Sequence, residues 1–267
     1  MPEGDTVYAA AHRLRAALAG KTLTRTDFRI PSLATVDLSG SAVGDVRSVG
    51  KHLFIDLIRP GGAAVSIHSH LKMEGVWHVY RRGERWRRAG HTARVVLEAD
   101  AVQAVGFDLG VLELLTDPDA AVAHLGPDLL GAGWDAERAA RNLRADPGRP
   151  IGLALLDQRN LAGIGNVYRS ELCFLLRVHP AASAGEVDTD TAVALAHRLL
   201  TANRLRTVRV TTGAAARGRE LWVYGRDRRP CRRCGTTVVR EYLGDDTRPA
   251  DTSRSIYLCP RCQPRPD

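Results

Sequence analysis

The sequence predicts an α+β protein of more than one domain: a β domain with a leading helix, then a helical region, then a cysteine-bearing β-hairpin. Three observations carry that reading. Short apolar runs broken by Gly and Pro occupy residues 21–107, and helical spacing takes over after about residue 115. Four of the five cysteines fall in the last 37 residues. A length of 267 residues suits two domains, or two and a small appendage, and buries a core without disulfides.

Residues 5–20 read as a helix, because Val7, Ala10, Ala11, Leu14, Ala17 and Leu18 recur at three- and four-residue spacing. Asp5 or Thr6 is the expected cap, and Gly20 the expected end. The clearest strands are 53–58, 63–68, 94–98 and 102–106, and antiparallel strands at this spacing build a sandwich or barrel-like domain. Helical spacing follows over 135–145, 151–156, 167–178 and 189–205, with Pro147, Pro150 and Pro180 near the boundaries. Residues 155–166 read as a helix end, a Gly-containing turn and a new helix start. Such a turn can set a helix N-terminus against a phosphate backbone, although helical hairpins with Gly turns are also common packing units.

The net charge of +8 favours a polyanionic partner. Only Lys21, Lys51 and Lys72 are lysines and the other 35 cations are arginines, so a single Arg carries little information. No run of about 18 apolar residues predicts a membrane helix. The start has no basic region followed by an apolar stretch, so a secretory signal is not expected and a soluble cytoplasmic protein is. Cys173, in an apolar helical stretch, reads as a buried free thiol.

The other cysteines form two pairs, Cys231/Cys234 and Cys259/Cys262, with 24 residues between them. One CxxC alone is also a redox dithiol. Two in a small terminal module point to a single structural Zn²⁺, because four thiolates complete a tetrahedral shell and leave no position for substrate. β-like residues between the pairs suit a hairpin with a knuckle at each end and a long loop. Its wealth of Arg fits a nucleic-acid reader.

The N-terminus offers chemistry of its own. Removal of Met1 leaves Pro2 as a secondary amine followed by Glu3. An α-amine titrates near 7.7–8.0 against about 10.4 for Lys, so a sizeable fraction is nucleophilic at neutral pH. Attack on a sugar C1′ or an aldehyde gives an iminium, and Glu3 can supply the accompanying proton. Taken alone, the same residues are also an ordinary processed N-terminus ahead of a surface helix.

The segment from Pro2 to Thr6 resembles the N-terminus of the Fpg/Nei family of bifunctional DNA glycosylases. The match continues at Gly50-Lys51-His52-Leu53, His68-Ser69-His70-Leu71-Lys72-Met73-Glu74-Gly75 and Gly126-Pro127-Asp128. It resumes at Leu155-Leu156-Asp157-Gln158, Gly163-Ile164-Gly165-Asn166-Val167-Tyr168-Arg169-Ser170-Glu171 and Val223-Tyr224-Gly225-Arg226, and Arg254 stands five residues before Cys259. The blocks keep the family's order over nearly the whole chain.

The resemblance implies an N-terminal β-sandwich with a leading helix (1–115), a helix–two-turn–helix DNA-binding domain (116–224) and a zinc β-hairpin (225–267). It makes Pro2 the Schiff-base nucleophile, Glu3 the proton donor, Lys51 the lysine of β-elimination and Arg254 the phosphate-gripping arginine linked to δ-elimination. Asn166 matches the DNA-contacting Asn at a helix start, where the residue type also suits an N-cap. Lys72, Met73 and Glu74 occupy the stretch that fills the gap left by a flipped nucleotide, with Met73 as the wedge. His70 is a candidate DNA contact, although a satisfied β-domain histidine reads as well. His124 stands where a DNA-contacting Arg is expected.

The implied partner is damaged DNA, duplex or single-stranded, met by a monomer in a bacterial cytoplasm. The short run between Thr211 and Tyr224 leaves little room for a long lesion-covering loop, and with Glu74-Gly75-Val76-Trp77 it favours the Nei-like branch for oxidised pyrimidines. Oxidised purines, and a non-catalytic zinc-containing nucleic-acid-binding protein on the same scaffold, are the alternatives.

Overall fold

A computed structural model describes residues 2–244 and 253–266. Met1 and the expected long hairpin loop, 245–252, lie outside the described residues. The chain divides into two compact units, Met1–His124 and Leu125–Asp267.

The first unit is a β-sandwich with one helix. Helix α1 (Gly4–Leu18) precedes strands β1 (Arg25–Phe28), β2 (Ala42–Val49), β3 (His52–Ile58), β4 (Ala64–His70), β5 (Val76–Arg81), β6 (Ala93–Ala99), β7 (Val102–Phe107) and β8 (Val111–Leu115). They form two antiparallel four-stranded sheets, ordered β1-β6-β7-β5 and β2-β3-β4-β8. Period-two alternation explains how the sheets share one core. Leu53, Ile55 and Leu57 of β3, Val65 and Ile67 of β4, and Val95, Leu97 and Ala99 of β6 point inward, joined by Val7, Leu14 and Leu18 of α1. The alternate residues His52, Phe54, Ser66, His68 and His70 therefore line the face of the second sheet turned away from that core.

Helix α1 starts earlier than the capping residues suggest. Its N-cap is Glu3, whose backbone carbonyl accepts from the amides of Thr6 and Val7. Asp5 instead bonds the neighbouring Thr6 amide from within the first turn.

The second unit packs helices α2 (Ala136–Arg144), α3 (Ile151–Ala154), α4 (Asn166–Leu176) and α5 (Thr189–Asn203) around Leu143, Leu155, Ile164, Tyr168, Leu172 and Leu200. Asp135 and Asp188 cap α2 and α5 through their carboxylates. Helix α4 ends at Arg177, a left-handed C-cap. Strands β9 (Val239–Leu243) and β10 (Arg254–Leu258) form the hairpin, which shares a small core with Phe174 of α4, Val223 and two of the cysteines. Among the described residues no helix is long and apolar enough to cross a membrane.

Candidate functional site

In the first unit the predicted residues sit where regular structure begins or turns. Pro2 and Glu3 immediately precede α1. Glu3 is fully buried, and it caps the helix through its backbone carbonyl, with no cap bond from its carboxylate. A carboxylate there is favoured by the positive end of the helix dipole. Lys51 sits in the two-residue hairpin between β2 and β3, where Gly50 supplies the positive φ (56°) that such a turn requires at its first central position.

Beside this turn lies a group of histidines. The β3–β4 register sets His52 opposite His70, with the rings 5.2 Å apart. His52 Nδ1 is 2.9 Å from His68 Nε2, and His68 Nδ1 is 2.8 Å from Glu113 Oε1 of β8. His124 adds an edge contact to His52 at 6.4 Å. Burial, then the nearby imidazoles and lysines, push His52 down to about 4 and His70 down to about 3. Both rings are therefore neutral at neutral pH. His70 Nδ1 accepts the Lys72 amide at 3.0 Å, which places the ring proton on Nε2. His52 and His68 stand in the matching blocks without a role of their own, and Glu113 is not among them. The alternating His-Ser-His of residues 68–70 was the available signal, but its meaning depends on the pairing with β3.

Lys72, Met73 and Glu74 lie in the turn between β4 and β5. Met73 is 61% exposed, the highest among the exposed large apolar side chains of this unit's described residues.

In the second unit the turn before α4 is held by its own side chains. Gln158 donates to the carbonyls of Leu156 and Ile164 and accepts the Gly163 amide, closing the loop on itself. Asp157 accepts from Arg159 and Arg149, and those bonds, led by Arg159, hold its carboxyl well below the usual range against the effect of burial. Gly126 lies against this turn, where any Cβ would collide with the Arg159 carbonyl oxygen. The N-cap of α4 is Gly165, and Asn166 is the first helical residue, so Asn166 does not serve as the cap. The Asn166 side chain is nearly buried, and its Oδ1 has no hydrogen-bond partner among the described residues. Rotating the amide exchanges this atom for the NH₂ donor that a phosphate oxygen needs.

Helix α4 also carries the hairpin. Arg169, one turn beyond Asn166, is fully buried and donates to the carbonyls of Arg254 and Ser255, while Ser170 Oγ accepts the Tyr257 amide. Arg254 itself is exposed at the start of β10. Glu171, also fully buried, accepts the amides of Trp222, Val223 and Tyr224 at 2.8–2.9 Å and the Thr211 hydroxyl. The motif containing Glu171 is visible in the sequence, but this clamp on the 211–224 segment is not.

Cys231, Cys234, Cys259 and Cys262 bring their four sulfurs within 4.8 Å of one another, the one such group among the described residues. The Cys231–Cys262 and Cys234–Cys259 separations are 4.0 and 3.5 Å. Tetrahedral thiolates about 2.3 Å from a zinc ion lie about 3.8 Å apart, so the donor set fits a metal ion. Gln263 fixes the second knuckle by accepting the Cys259 amide and donating to Val178 at the end of α4. Cys173 is fully buried, and burial pushes its thiol up to about 12, as a structural cysteine requires.

A β-sandwich with a leading helix, followed by a helical unit that carries a four-cysteine hairpin, defines the architectural class. A family model described as the formamidopyrimidine-DNA glycosylase N-terminal domain matches residues 1–109, and one described as the formamidopyrimidine-DNA glycosylase H2TH domain matches 125–212. The probable endonuclease 8 2 of Streptomyces coelicolor is 55% identical over 100% of this chain and 95% of its own length. The DNA-(apurinic or apyrimidinic site) lyase Nei2 of Mycolicibacterium smegmatis is 53% identical over 98% of this chain and 99% of its own. The fold is also that of Lactococcus lactis Fpg solved with abasic-site DNA, at a TM-score of 0.76 and 20% identity over 98% of this chain and 100% of that one. This chain belongs to the Fpg/Nei family.

Proposed function

We propose that the chain is a base-excision-repair DNA glycosylase with abasic-site lyase activity that removes oxidised bases, chiefly pyrimidines, from damaged DNA. The observation that carries this reading is the Pro2–Glu3 start: a proline that removal of Met1 turns into an amine, one residue before a fully buried carboxylate that makes no side-chain cap bond. It stands in a chain that matches its relatives from end to end.

The target nucleotide leaves the base stack, since its C1′ is otherwise out of reach of the amine. The Pro2 nitrogen forms a bond to C1′ as the N-glycosidic bond breaks and the base departs. Glu3 delivers the proton that opens the sugar ring, which leaves an iminium at C1′. The iminium acidifies the C2′ proton. Its removal, assigned to Lys51, expels the 3′ phosphate, and a second elimination, assisted by Arg254, expels the 5′ phosphate. Asn166 and the His70 Nε2–H bind backbone phosphate, Met73 fills the space the nucleotide vacates, and His124, beside His52 in the first unit, is a further DNA contact.

One Zn²⁺ held by Cys231, Cys234, Cys259 and Cys262 supplies a structural tie between the hairpin's two knuckles and takes no part in the reaction. The enzyme acts as a monomer in the cytoplasm. The short 211–222 stem, in which the Thr211 amide donates to the Glu220 carbonyl, favours pyrimidine over purine lesions because it leaves no long loop to cover a purine.

Cleavage of duplexes carrying thymine glycol, dihydrouracil, 8-oxoguanine or an abasic site tests this reading. Thymine glycol and dihydrouracil are expected to be cut faster than 8-oxoguanine. Glu3→Gln is expected to lose base excision by about 10²–10⁴-fold while retaining cleavage at the preformed abasic site. Preference for 8-oxoguanine would overturn the pyrimidine assignment, and undiminished excision by Glu3→Gln the role of Glu3.

A further inference from the structure

Met73 is presented by a turn of unusual construction. Lys72 adopts the left-handed conformation (φ 51°), as does Asp108 (φ 48°) in the adjacent turn between β7 and β8. Non-glycine residues enter this region only when their surroundings hold them there. Gly75 closes the turn by donating to the Leu71 carbonyl at 2.9 Å, and a Cβ at Gly75 would collide with that oxygen. Gly110 lies beneath Lys72, where a Cβ would strike the lysine side chain, and its amide donates to the His70 carbonyl. The two turns are thus packed against each other.

One side chain from outside reaches both. Arg88 lies in the segment 82–92 that joins β5 to β6, a loop that returns the chain from the Arg81 end of the sheet to the Phe107 end. Its Nη1 donates to Asp108 Oδ2 at 2.8 Å and to the Glu74 carbonyl at 3.4 Å. Glu74 directly follows Met73, so the guanidinium holds the backbone on the far side of the wedge from Lys72. The two hydrogens of that single terminal nitrogen serve the carboxylate and the carbonyl at once.

We propose that Arg88 is a positioning residue for base extrusion: held on Asp108, its guanidinium fixes the Glu74 carbonyl and keeps Met73 raised in the shape that replaces an extruded nucleotide. This rests on the glycosylase reading above. Arg88 touches neither the sugar nor the leaving base. Its effect falls on steps that open a duplex and spares those that begin from an abasic site in a single strand.

Amide hydrogen exchange and two cleavage assays on wild type, Arg88→Ala and Arg88→Lys test the proposal. In Arg88→Ala the Gly75 and Lys72 amides are expected to exchange at least about tenfold faster, as a locally opened turn does. Excision of thymine glycol from duplex is expected to fall about tenfold further than cleavage of a single-stranded abasic site, the scale of a small misplacement. Arg88→Lys keeps the Asp108 pair and restores part of both. Unchanged exchange at Gly75 overturns the brace whatever the activities do, and equal losses on the two substrates overturn its assignment to extrusion. A wild-type protein inactive on both would overturn the function proposed above, and the exchange at Gly75 would still decide the brace.

Discussion

The two units hold their proposed functional residues in opposite ways. In the first, Pro2, Glu3, Lys51 and Met73 stand at a helix start and two turns, outside the apolar core that the sheets build. In the second, Asn166, Arg169, Ser170 and Glu171 are successive buried polar positions of one helix, and through them α4 holds the hairpin and the 211–224 segment. Substitution in the first unit should therefore remove chemistry and leave stability, whereas substitution along α4 should remove stability, grip or both.

The largest test of that contrast is the cysteine cluster. The purified protein is expected to contain one zinc per chain, and stripping it should unfold the hairpin, since structural zinc contributes on the order of 10 kcal/mol in small modules. DNA binding should vanish while the near-ultraviolet signal of the sandwich persists, as measured by circular dichroism and fluorescence anisotropy. Next is Glu171→Ala, which takes the shared acceptor from the amides of Trp222, Val223 and Tyr224 and from the Thr211 hydroxyl. A loss of about 3 kcal/mol or more is expected in denaturant unfolding. Asn166→Ala should divide binding from stability, because its Oδ1 is already unbonded. Stability should change by less than about 0.5 kcal/mol while DNA affinity falls about tenfold, the worth of one hydrogen bond to a charged group.

A further test is a pH dependence to which the histidines of the first unit contribute. His52 and His70 are held near 4 and 3 in the folded chain and titrate near 6.5 when unfolded. Between those values the unfolded chain binds protons that the folded chain does not, so stability falls as the pH drops from about 6.5 toward 4. Denaturant midpoints across that window should show the slope, and His52→Gln should reduce it. A flat profile in wild type would place the rings in a less buried setting.

What the sequence made legible follows the range of the interactions. Strand and helix positions rest on local periodicity, and 53–58, 102–106 and 189–205 fall on β3, β7 and α5 with ends shifted by one or two residues. The cysteine cluster was also readable, because spacing alone brings each pair together. The start of α1 was misplaced: Glu3 caps with its backbone, a role that leaves no mark on residue type. Gly165 likewise took the cap that Asn166 suits by composition. The chain His52–His68–Glu113 needs three strands in register, and in sequence Glu171 looks like any surface residue of an amphipathic helix. Long-range pairing decides those residues.

The central claim is that the chemistry runs through the amine of Pro2. Borohydride reduction in the presence of a duplex bearing an oxidised pyrimidine tests it most directly, read by the mass of the protein–DNA adduct and of its N-terminal peptide. The account predicts a covalent adduct on the peptide that begins at Pro2, with Met1 absent, and its loss or sharp reduction in Pro2→Gly. An adduct mapped to a lysine, an undiminished one in Pro2→Gly, or none with wild type would contradict it.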